Sequence, residues 1–166
     1  MTSVVAAGNS DRKLDSSDDC SVVPAESPGV VTVSSLGPTK QKASYSSWGD
    51  VEVAAPGGAG TTGDCRNTVL STFPGNTFGC IQGTSMASPH AAGVAALIVS
   101  QHGKLGSDGD VKISPDKVKD ILFRTTIDQG AQGRDECFGY GRVDALRAVT
   151  GNTSPSYDSS LTVCQN

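Results

Sequence analysis

The sequence predicts an α/β fold in which a mainly parallel sheet is covered by a helix on one side. Short apolar runs, rich in β-branched residues and bounded by glycine and proline, predict buried strands. A later stretch, from Ser85 to about His102, is apolar nearly all round, which is typical of a helix buried inside a larger body. Buried strands followed by such a helix favour a parallel sheet. The 166 residues fit one domain, and an apolar fraction of 36% predicts only a partial core.

Three apolar runs predict the strands of the sheet, at residues 3–7, 29–35 and 51–55. The first run ends at Gly8 and Asn9, where a loop begins. The polar, acidic segment 10–21 is expected to form an exposed loop. The glycine-rich segment 57–79 predicts a second, longer loop with room for a short hairpin.

The helices are predicted from their ends and their periodicity. In the main helix, Pro89 falls in the first turns, where the backbone N–H has no partner within the helix, and Gly103 provides the stop. Ser114 followed by proline predicts the start of a second, amphipathic helix. A shorter helix is expected at 143–149, and the Ser/Thr/Pro-rich segment 151–166 is expected to form a flexible polar tail.

Composition excludes several classes of function. The formal charge of -4 and the pI near 5.0 come from dispersed charges, so no basic face is predicted to bind nucleic acid. The longest apolar run, around 91–99, is far shorter than the roughly 20 residues that cross a bilayer. No export signal is recognisable in these residues. We therefore expect a chain that binds neither nucleic acid nor membrane.

Five cysteines occur, with no C-x-x-C pair, at positions 20, 65, 80, 137 and 164. Histidine is almost absent near them, which favours disulfides over a zinc site. This usage indicates an oxidising, extracellular origin, and the odd number leaves one cysteine without a partner among these residues. Cys65 and Cys80 flank the long glycine-rich loop and are candidates to close it through a disulfide. The pairing of Cys20 and Cys137 is left open.

The sharpest feature is the segment Gly-Thr-Ser-Met-Ala-Ser-Pro-His at 83–90, which puts Ser85 in the first turn of the main helix. A serine in this position is most often a plain N-cap. In the alternative interpretation, its hydroxyl attacks a carbonyl. The free N–H groups and the positive end of the helix then stabilise the oxyanion that forms. The wider sequence favours this second interpretation.

Four segments occur in an order that resembles the C-terminal half of the catalytic domain of subtilisin-like serine peptidases. They are Val-Ala-Ala-Gly-Asn at 5–9, Ala-Ser-Tyr-Ser-Ser-Trp-Gly at 43–49, Ala-Pro-Gly at 55–57 and the segment at 83–90. PAESPGVVTV at 24–33 and GYGRVDA at 139–145 also fit. The resemblance implies that residues 1–150 are part of a peptidase domain with a three-layer fold, and that the substrate is a polypeptide.

The resemblance also assigns roles to single residues. Ser85 is implied to be the nucleophile, and Asn9 is implied to donate its side-chain amide to the oxyanion together with the Ser85 backbone N–H. Ala6, Ala7 and Gly8 are implied to form one wall of the pocket for the residue before the cleaved bond. Taken alone, Asn9 after a glycine is typical of a turn. This chemistry requires no cofactor.

A structural calcium ion is a further expectation from the resemblance. Some members of the family bind calcium through backbone carbonyls near the positions of Pro28 and Val30, with an acidic side chain close to Glu52. This sequence has glutamate where such a relative has aspartate, so the match is partial. The alternative role for these residues is a surface loop.

The base that would activate Ser85 is missing from the sequence. A serine hydroxyl needs an imidazole oriented by a carboxylate, and in subtilisins the chain order is Asp, His, Ser. No histidine precedes Ser85. His90 lies about 140° around the helix axis from Ser85 and His102 lies roughly 25 Å along it, so neither is expected to reach the hydroxyl. We expect the Asp and the His to come from a missing N-terminal half, without which the chain is inactive.

Two functions from different classes follow. The favoured function is that of a serine endopeptidase whose parent protein is secreted. The alternative is a protease-derived module that no longer catalyses and serves in binding or interaction. An α/β-hydrolase is excluded, because residues 83–87 lack the second glycine of the G-x-S-x-G turn and no histidine follows His102.

Overall fold

The computed structural model describes residues 1–17, 21–61 and 63–160. In chain order its strands are β1 (Val4–Ala6), β2 (Lys13–Leu14), β3 (Val31–Leu36), β4 (Trp48–Gly49), β5 (Val53–Pro56), β6 (Val69–Phe73), β7 (Thr77–Ile81), β8 (Lys104–Leu105), β9 (Val111–Lys112), β10 (Asp128–Gln129) and β11 (Tyr157–Asp158). The helices are α1 (Thr84–His102), α2 (Pro115–Arg124) and α3 (Ala145–Thr150).

A parallel sheet of β1, β3 and β5 lies at the centre, with β3 in the middle. Val4 pairs with Val31, and Val33 pairs with both Ala6 and Val53. All six residues of β3 are buried, as expected for a strand covered on both faces. The α/β class and the three predicted strands are therefore confirmed, with bounds that shift by one or two residues.

The main helix, α1, covers one face of this sheet. Its buried side chains are mostly small, namely Thr84, Ala87, Ala91, Val94, Ala95 and Ile98. They pack in the main core with Val31, Val33 and Val53 of the sheet. Small side chains let a helix lie close to a sheet without leaving voids. The predicted position of this helix is confirmed.

The opposite face of α1 is exposed in the described part of the chain, although the sequence predicts that this helix is buried inside a larger body. This face includes Ala92, Gly93, Ala96 and Leu97, and Leu97 is 44% exposed. The described elements pack against the other side of the helix, so they cannot shield this apolar face from water. Among the described residues, no helix combines the length and the hydrophobicity that a bilayer crossing requires.

The two shorter helices begin at capping side chains. In α2, the Ser114 hydroxyl accepts a hydrogen bond from the Lys117 N–H at 3.2 Å, as the Ser-Pro signal predicts. In α3, the Asp144 carboxylate accepts one from the Arg147 N–H at 2.8 Å. The apolar stripe of α2 enters the main core through Val118 and Leu122.

The acidic segment 10–21 is not wholly an exposed loop, which corrects the prediction. Within it, β2 pairs in parallel with β4, and Leu14 is only 1% exposed. Leu14 packs in a second cluster with Ala7, Ala25 and Val51. A single leucine in a polar run gives no periodic signal, so its burial depends on partners that are distant in the sequence.

The glycine-rich segment carries the predicted hairpin, because β6 and β7 pair in antiparallel fashion. A disulfide joins Cys65 to Cys80, with 5.2 Å between their Cα atoms, so the loop is closed as predicted. Cys137 is disulfide-bonded as well. Cys20 and Cys164 lie outside the described residues.

Residues 151–160 of the C-terminal segment contact the rest of the domain, and the predicted flexibility of the segment stays a prediction. β11 pairs in parallel with β10. Asp158 forms an ion pair with Lys40 at 2.8 Å, and the Tyr157 hydroxyl donates to the Gly130 carbonyl at 2.8 Å. These polar contacts join residues far apart in the chain, so composition could not predict them.

Because α1 has a buried and an exposed face, substitutions at two neighbouring residues should differ in their effect on stability. Ile98 is fully buried, and Leu97 beside it is 44% exposed. We expect Ile98→Ala to lower the free energy of unfolding by about 2–5 kcal/mol, because it leaves a cavity in the core. The matched control Leu97→Ala should lower it by less than about 1 kcal/mol. Urea unfolding of both variants checks this, and equal losses would contradict the exposed face.

Candidate active site

Ser85 lies in the first turn of α1, and it is not the N-cap. The cap residue is Gly83, and the helix has no side-chain cap, so the plain capping interpretation of Ser85 is wrong. Ser85 is exposed. No described residue accepts a hydrogen bond from its backbone N–H or pairs with its hydroxyl. Both groups are therefore available to a bound molecule at the positive end of the helix.

Asn9 is held beside Ser85 through Thr84. The Asn9 side-chain oxygen accepts hydrogen bonds from the Thr84 N–H and from the Thr84 hydroxyl, both at 2.9 Å. The Thr84 hydroxyl in turn accepts from the Gly8 N–H at 3.1 Å. Because the oxygen of Asn9 is engaged, its side-chain NH₂ is directed away from Thr84 and is free to donate.

The two candidate donors border the same small space. The point where Gly83 would carry a Cβ lies 3.3 Å from Asn9 Nδ2, 3.6 Å from Asn9 Oδ1 and 3.6 Å from the Ser85 backbone nitrogen. A backbone and a side-chain amide this close together can stabilise one negatively charged oxygen. The structure therefore brings together Asn9 and Ser85, the two residues that the sequence predicts as catalytic.

A buried network supports the chain just before Ser85. The Tyr45 hydroxyl lies 2.7 Å from the Ser35 hydroxyl and 3.0 Å from the Gly57 carbonyl, and that carbonyl accepts from the Gly83 N–H at 3.0 Å. A Cβ on Gly57 would lie 2.1 Å from the Ser35 hydroxyl oxygen, so only glycine allows this approach. Burial raises the pKa of Tyr45, which keeps its hydroxyl protonated.

Sequence reasoning missed the roles of Thr84 and Tyr45. Both lie inside segments that carry the family resemblance, at 83–90 and 43–49. The sequence did offer a signal for both roles, because both residues have polar side chains within these segments and Thr84 directly precedes Ser85. Their partners are 75 and 12 positions away, so only the fold reveals the hydrogen bonds.

Neither histidine of the chain lies at this site. His90 Nδ1 donates to the Met86 carbonyl, with 2.8 Å between the atoms. His102 Nε2 donates to the Ala148 carbonyl at 2.7 Å, at the far end of α1. Both side chains thus satisfy backbone carbonyls, which agrees with the expectation that neither activates Ser85.

Residues 6–8 lie at the carboxyl end of β1. Ala7 is 1% exposed and packs with Leu14 in the second cluster, so its methyl group faces the protein interior. Gly8 has a φ of 105°, and its carbonyl accepts from the Ser47 N–H at 2.9 Å. This turn carries the chain from the sheet to Asn9. The role of Ala6, Ala7 and Gly8 as a pocket wall stays a prediction.

The residues suggested for calcium line a cleft of about 360 Å³ that includes Pro28, Val30 and Glu52. One Glu52 carboxylate oxygen accepts from the Thr32 N–H at 2.7 Å. The other lies 3.8 Å from Arg134, whose guanidinium also donates to the Val51 carbonyl at 3.2 Å. Burial raises the pKa of the Glu52 carboxyl.

Calcium binding in this cleft stays a prediction. Calcium takes six to eight oxygen ligands, which include carboxylates, backbone carbonyls and water. Here a guanidinium already lies against Glu52, and Asp50 accepts from both the N–H and the hydroxyl of Ser16. Within the described ranges, no group of three His, Cys, Asp or Glu residues is arranged to hold a metal ion.

Comparison with known proteins gives consistent matches. A model of the Subtilase family matches residues 1–141. The halolysin-like extracellular serine protease Nep of Natrialba magadii is 40% identical over 128 residues, which is 76% of this chain and 20% of that protein. Subtilisin DY of Bacillus licheniformis is 37% identical over 140 residues, which is 84% of this chain and 42% of that protein.

Solved structures agree with these sequence matches. A lanthipeptide protease superposes with a TM-score of 0.77 at 28% identity, covering 90% of this chain and 51% of its own. A protease from Pseudoalteromonas arctica superposes with a TM-score of 0.70 at 36% identity, covering 93% of this chain and 43% of its own. The chain therefore spans about half, or less, of the length of the proteins it matches.

The contacts of Thr84 predict the effect of removing its hydroxyl. Thr84 is fully buried, and Thr84→Val leaves the Gly8 N–H without its partner and removes one bond to Asn9. We expect a loss of about 1–3 kcal/mol in the free energy of unfolding. The control Thr84→Ser keeps the hydroxyl and should lose less. If valine costs less than serine in chemical denaturation, the methyl group of Thr84 contributes more to stability than its hydrogen bonds, which contradicts the prediction.

Proposed function

The chain belongs to the subtilase family, and we propose that it supplies the nucleophile and the oxyanion-binding groups of a serine endopeptidase. The observation that carries this proposal is the proximity of Asn9 Nδ2 and the Ser85 backbone nitrogen, which both lie within 3.6 Å of the Cβ position of Gly83. An exposed serine at a helix N-terminus is then adjacent to two N–H donors that are not used elsewhere. Polypeptides are the proposed substrates.

In the proposed chemistry, the Ser85 hydroxyl and the two N–H donors have separate roles. The Ser85 hydroxyl oxygen attacks the carbonyl carbon of a peptide bond while a base removes the hydroxyl proton. The carbonyl oxygen becomes negatively charged and accepts hydrogen bonds from Asn9 and from the Ser85 backbone N–H. Collapse of this intermediate breaks the C–N bond, releases the amine after it takes up a proton and leaves an acyl group on Ser85, which water then hydrolyses.

We propose that the base and its carboxylate partner reside on a polypeptide segment outside these 166 residues. His90 and His102 are both bound to backbone carbonyls and lie away from Ser85. The exposed face of α1, with Ala92, Ala96 and Leu97, is the proposed contact surface for that segment. The 166 residues alone are accordingly inactive.

A non-catalytic binding module is the second candidate. It is favoured by the continuous core of the described residues, which includes the central sheet, α1 and both shorter helices. A cooperative thermal transition of the purified chain in isolation supports this candidate. An aggregating chain with exposed apolar surface supports the incomplete peptidase.

An extracellular location is proposed for the parent protein. The Cys65–Cys80 disulfide is of the kind that persists in oxidising compartments. The matching protein from Natrialba magadii is itself named as extracellular.

Labelling of Ser85 by a fluorophosphonate probe tests the proposed catalytic role. We expect no labelling of the purified 166-residue chain, because the hydroxyl lacks a base. We expect labelling when the N-terminal segment of a subtilase catalytic domain, bearing the Asp and the His, is added or fused. Tandem mass spectrometry should locate the label on Ser85.

Two variants serve as controls for this experiment. Ser85→Ala should abolish labelling of the complemented protein. Asn9→Ala should lower the rate of peptide hydrolysis by about 10² to 10³, a range taken from loss of this type of donor in a subtilisin. Fast labelling of the chain alone would overturn the proposed dependence on a second segment. Wild-type rates in Asn9→Ala would overturn the role of Asn9.

We also propose that Arg134 takes the place of a calcium ion beside Glu52. The expected result is that the midpoint of thermal unfolding is the same in EDTA and in excess calcium chloride. Arg134→Met should lower the midpoint, because it removes a cation and a hydrogen bond to the Val51 carbonyl. Arg66→Met is the control, since the Arg66 side chain is 94% exposed. A large rise of the wild-type midpoint with calcium would contradict the proposal.

A further inference from the structure

Another cavity is lined in part by Pro56 and Gly58, and also by an arginine that the proposed peptidase chemistry does not use. Its volume is about 250 Å³, and its walls include Leu36, Pro38, Pro56 and Val69. Asn67 and Thr68, from the loop that the Cys65–Cys80 disulfide closes, line one side. The polar side chains at its edge include Lys40 and Arg142.

The guanidinium of Arg142 has no partner among the described residues. Its Nε is fully shielded from solvent and makes no hydrogen bond. No described carboxylate lies within ion-pair distance of this side chain. Partly buried guanidinium groups in proteins are normally paired, because removing a charge from water without a partner is costly. This arginine is therefore arranged to receive an anion.

The backbone fixes Arg142 in the wall of the cavity. Its N–H donates to the Ile127 carbonyl at 2.9 Å, and its own carbonyl accepts from the Ile127 N–H at 2.9 Å. The flanking residues bond to Ala54 of β5 on the other side. The side chain therefore extends from a segment that is hydrogen-bonded along both edges, which limits the entropy lost when it binds a ligand.

The other cation at the cavity is already neutralised. Lys40 Nζ forms an ion pair with the Asp158 carboxylate at 2.8 Å. No acidic residue lines the cavity in the described part of the chain. An incoming anion therefore meets one unpaired positive charge at Arg142, and the nearby Asp158 carboxylate is itself paired with Lys40.

We infer that this cavity binds a small organic carboxylate through Arg142. The planar guanidinium matches a carboxylate with two parallel hydrogen bonds. The leucine, valine and proline walls accommodate a short apolar body, which favours such a ligand over an inorganic anion. The carboxylate can belong to a free short-chain acid or to the last residue of a peptide. The inference does not depend on the role of Ser85.

Binding to the purified 166-residue chain tests the inference. Isothermal titration with isovalerate, N-acetyl-L-leucine and N-acetyl-L-leucine amide compares a free acid, a peptide-like C-terminus and its uncharged counterpart. We expect at least one acid to bind about 10-fold or more tightly than the amide. Tighter binding of isovalerate identifies a free acid, and tighter binding of N-acetyl-L-leucine identifies a peptide C-terminus. Equal binding of acid and amide overturns the inference, and so does equally tight binding of inorganic phosphate.

Variants then assign the binding to this cavity. Arg142→Leu should weaken binding of the preferred acid by about 10- to 100-fold. The control Arg124→Leu, which alters an arginine that is 62% exposed on α2, should bind as the wild type does. Unchanged binding in Arg142→Leu overturns the inference. If Arg142→Leu does not fold, Arg142→Gln takes its place. The comparison of acid binding with amide binding by the wild type then still tests the inference.

Discussion

The hydrogen bonds between Asn9 and Thr84 determine how the candidate site is built. They join residues 75 positions apart, one at the end of β1 and the other at the start of α1. Through them, the sheet and the helix are fixed relative to each other at the point where Ser85 is exposed. The same bonds occupy the oxygen of Asn9 and leave its NH₂ free. They therefore determine both where the Asn9 side chain lies and in which direction its NH₂ donates. The Tyr45 hydroxyl donates to the Gly57 carbonyl, which also accepts from the N–H of Gly83, the residue before Thr84.

The exposed face of α1 is the second constraint on function. A helix that is apolar on two sides is stable in water only when both sides are covered. The described residues cover the side formed by Ala87, Ala91 and Ile98, and they leave Ala92, Ala96 and Leu97 exposed. The proposed incomplete peptidase accounts for the uncovered face and for the position of both histidines, which bond to backbone carbonyls and not to Ser85.

Two arginines away from Ser85 differ in whether a carboxylate lies beside the guanidinium group. Arg134 lies against Glu52 in a cleft where a resemblance to the family suggests a calcium ion, and one positive charge there already opposes the carboxylate. Arg142 is the opposite case, since it is shielded and has no described partner. Arg142 lies in the segment 139–145, which also resembles the family, whereas Arg134 lies outside the resembling segments. The roles that we propose for them take no part in the proposed peptidase chemistry.

Features that depend on neighbours along the chain could be predicted from the sequence. The β-branched runs gave the three central strands, the Ser114-Pro115 pair gave the start of α2, and the segment at 83–90 located Ser85. Contacts between residues far apart in the chain could be identified only from the fold. The burial of Leu14, the pairing of β11 with β10, and the partners of Thr84 and Tyr45 all join residues without a local pattern. Periodicity and capping arise from the geometry of one segment, whereas such contacts exist only once the chain has folded and water has been excluded between segments.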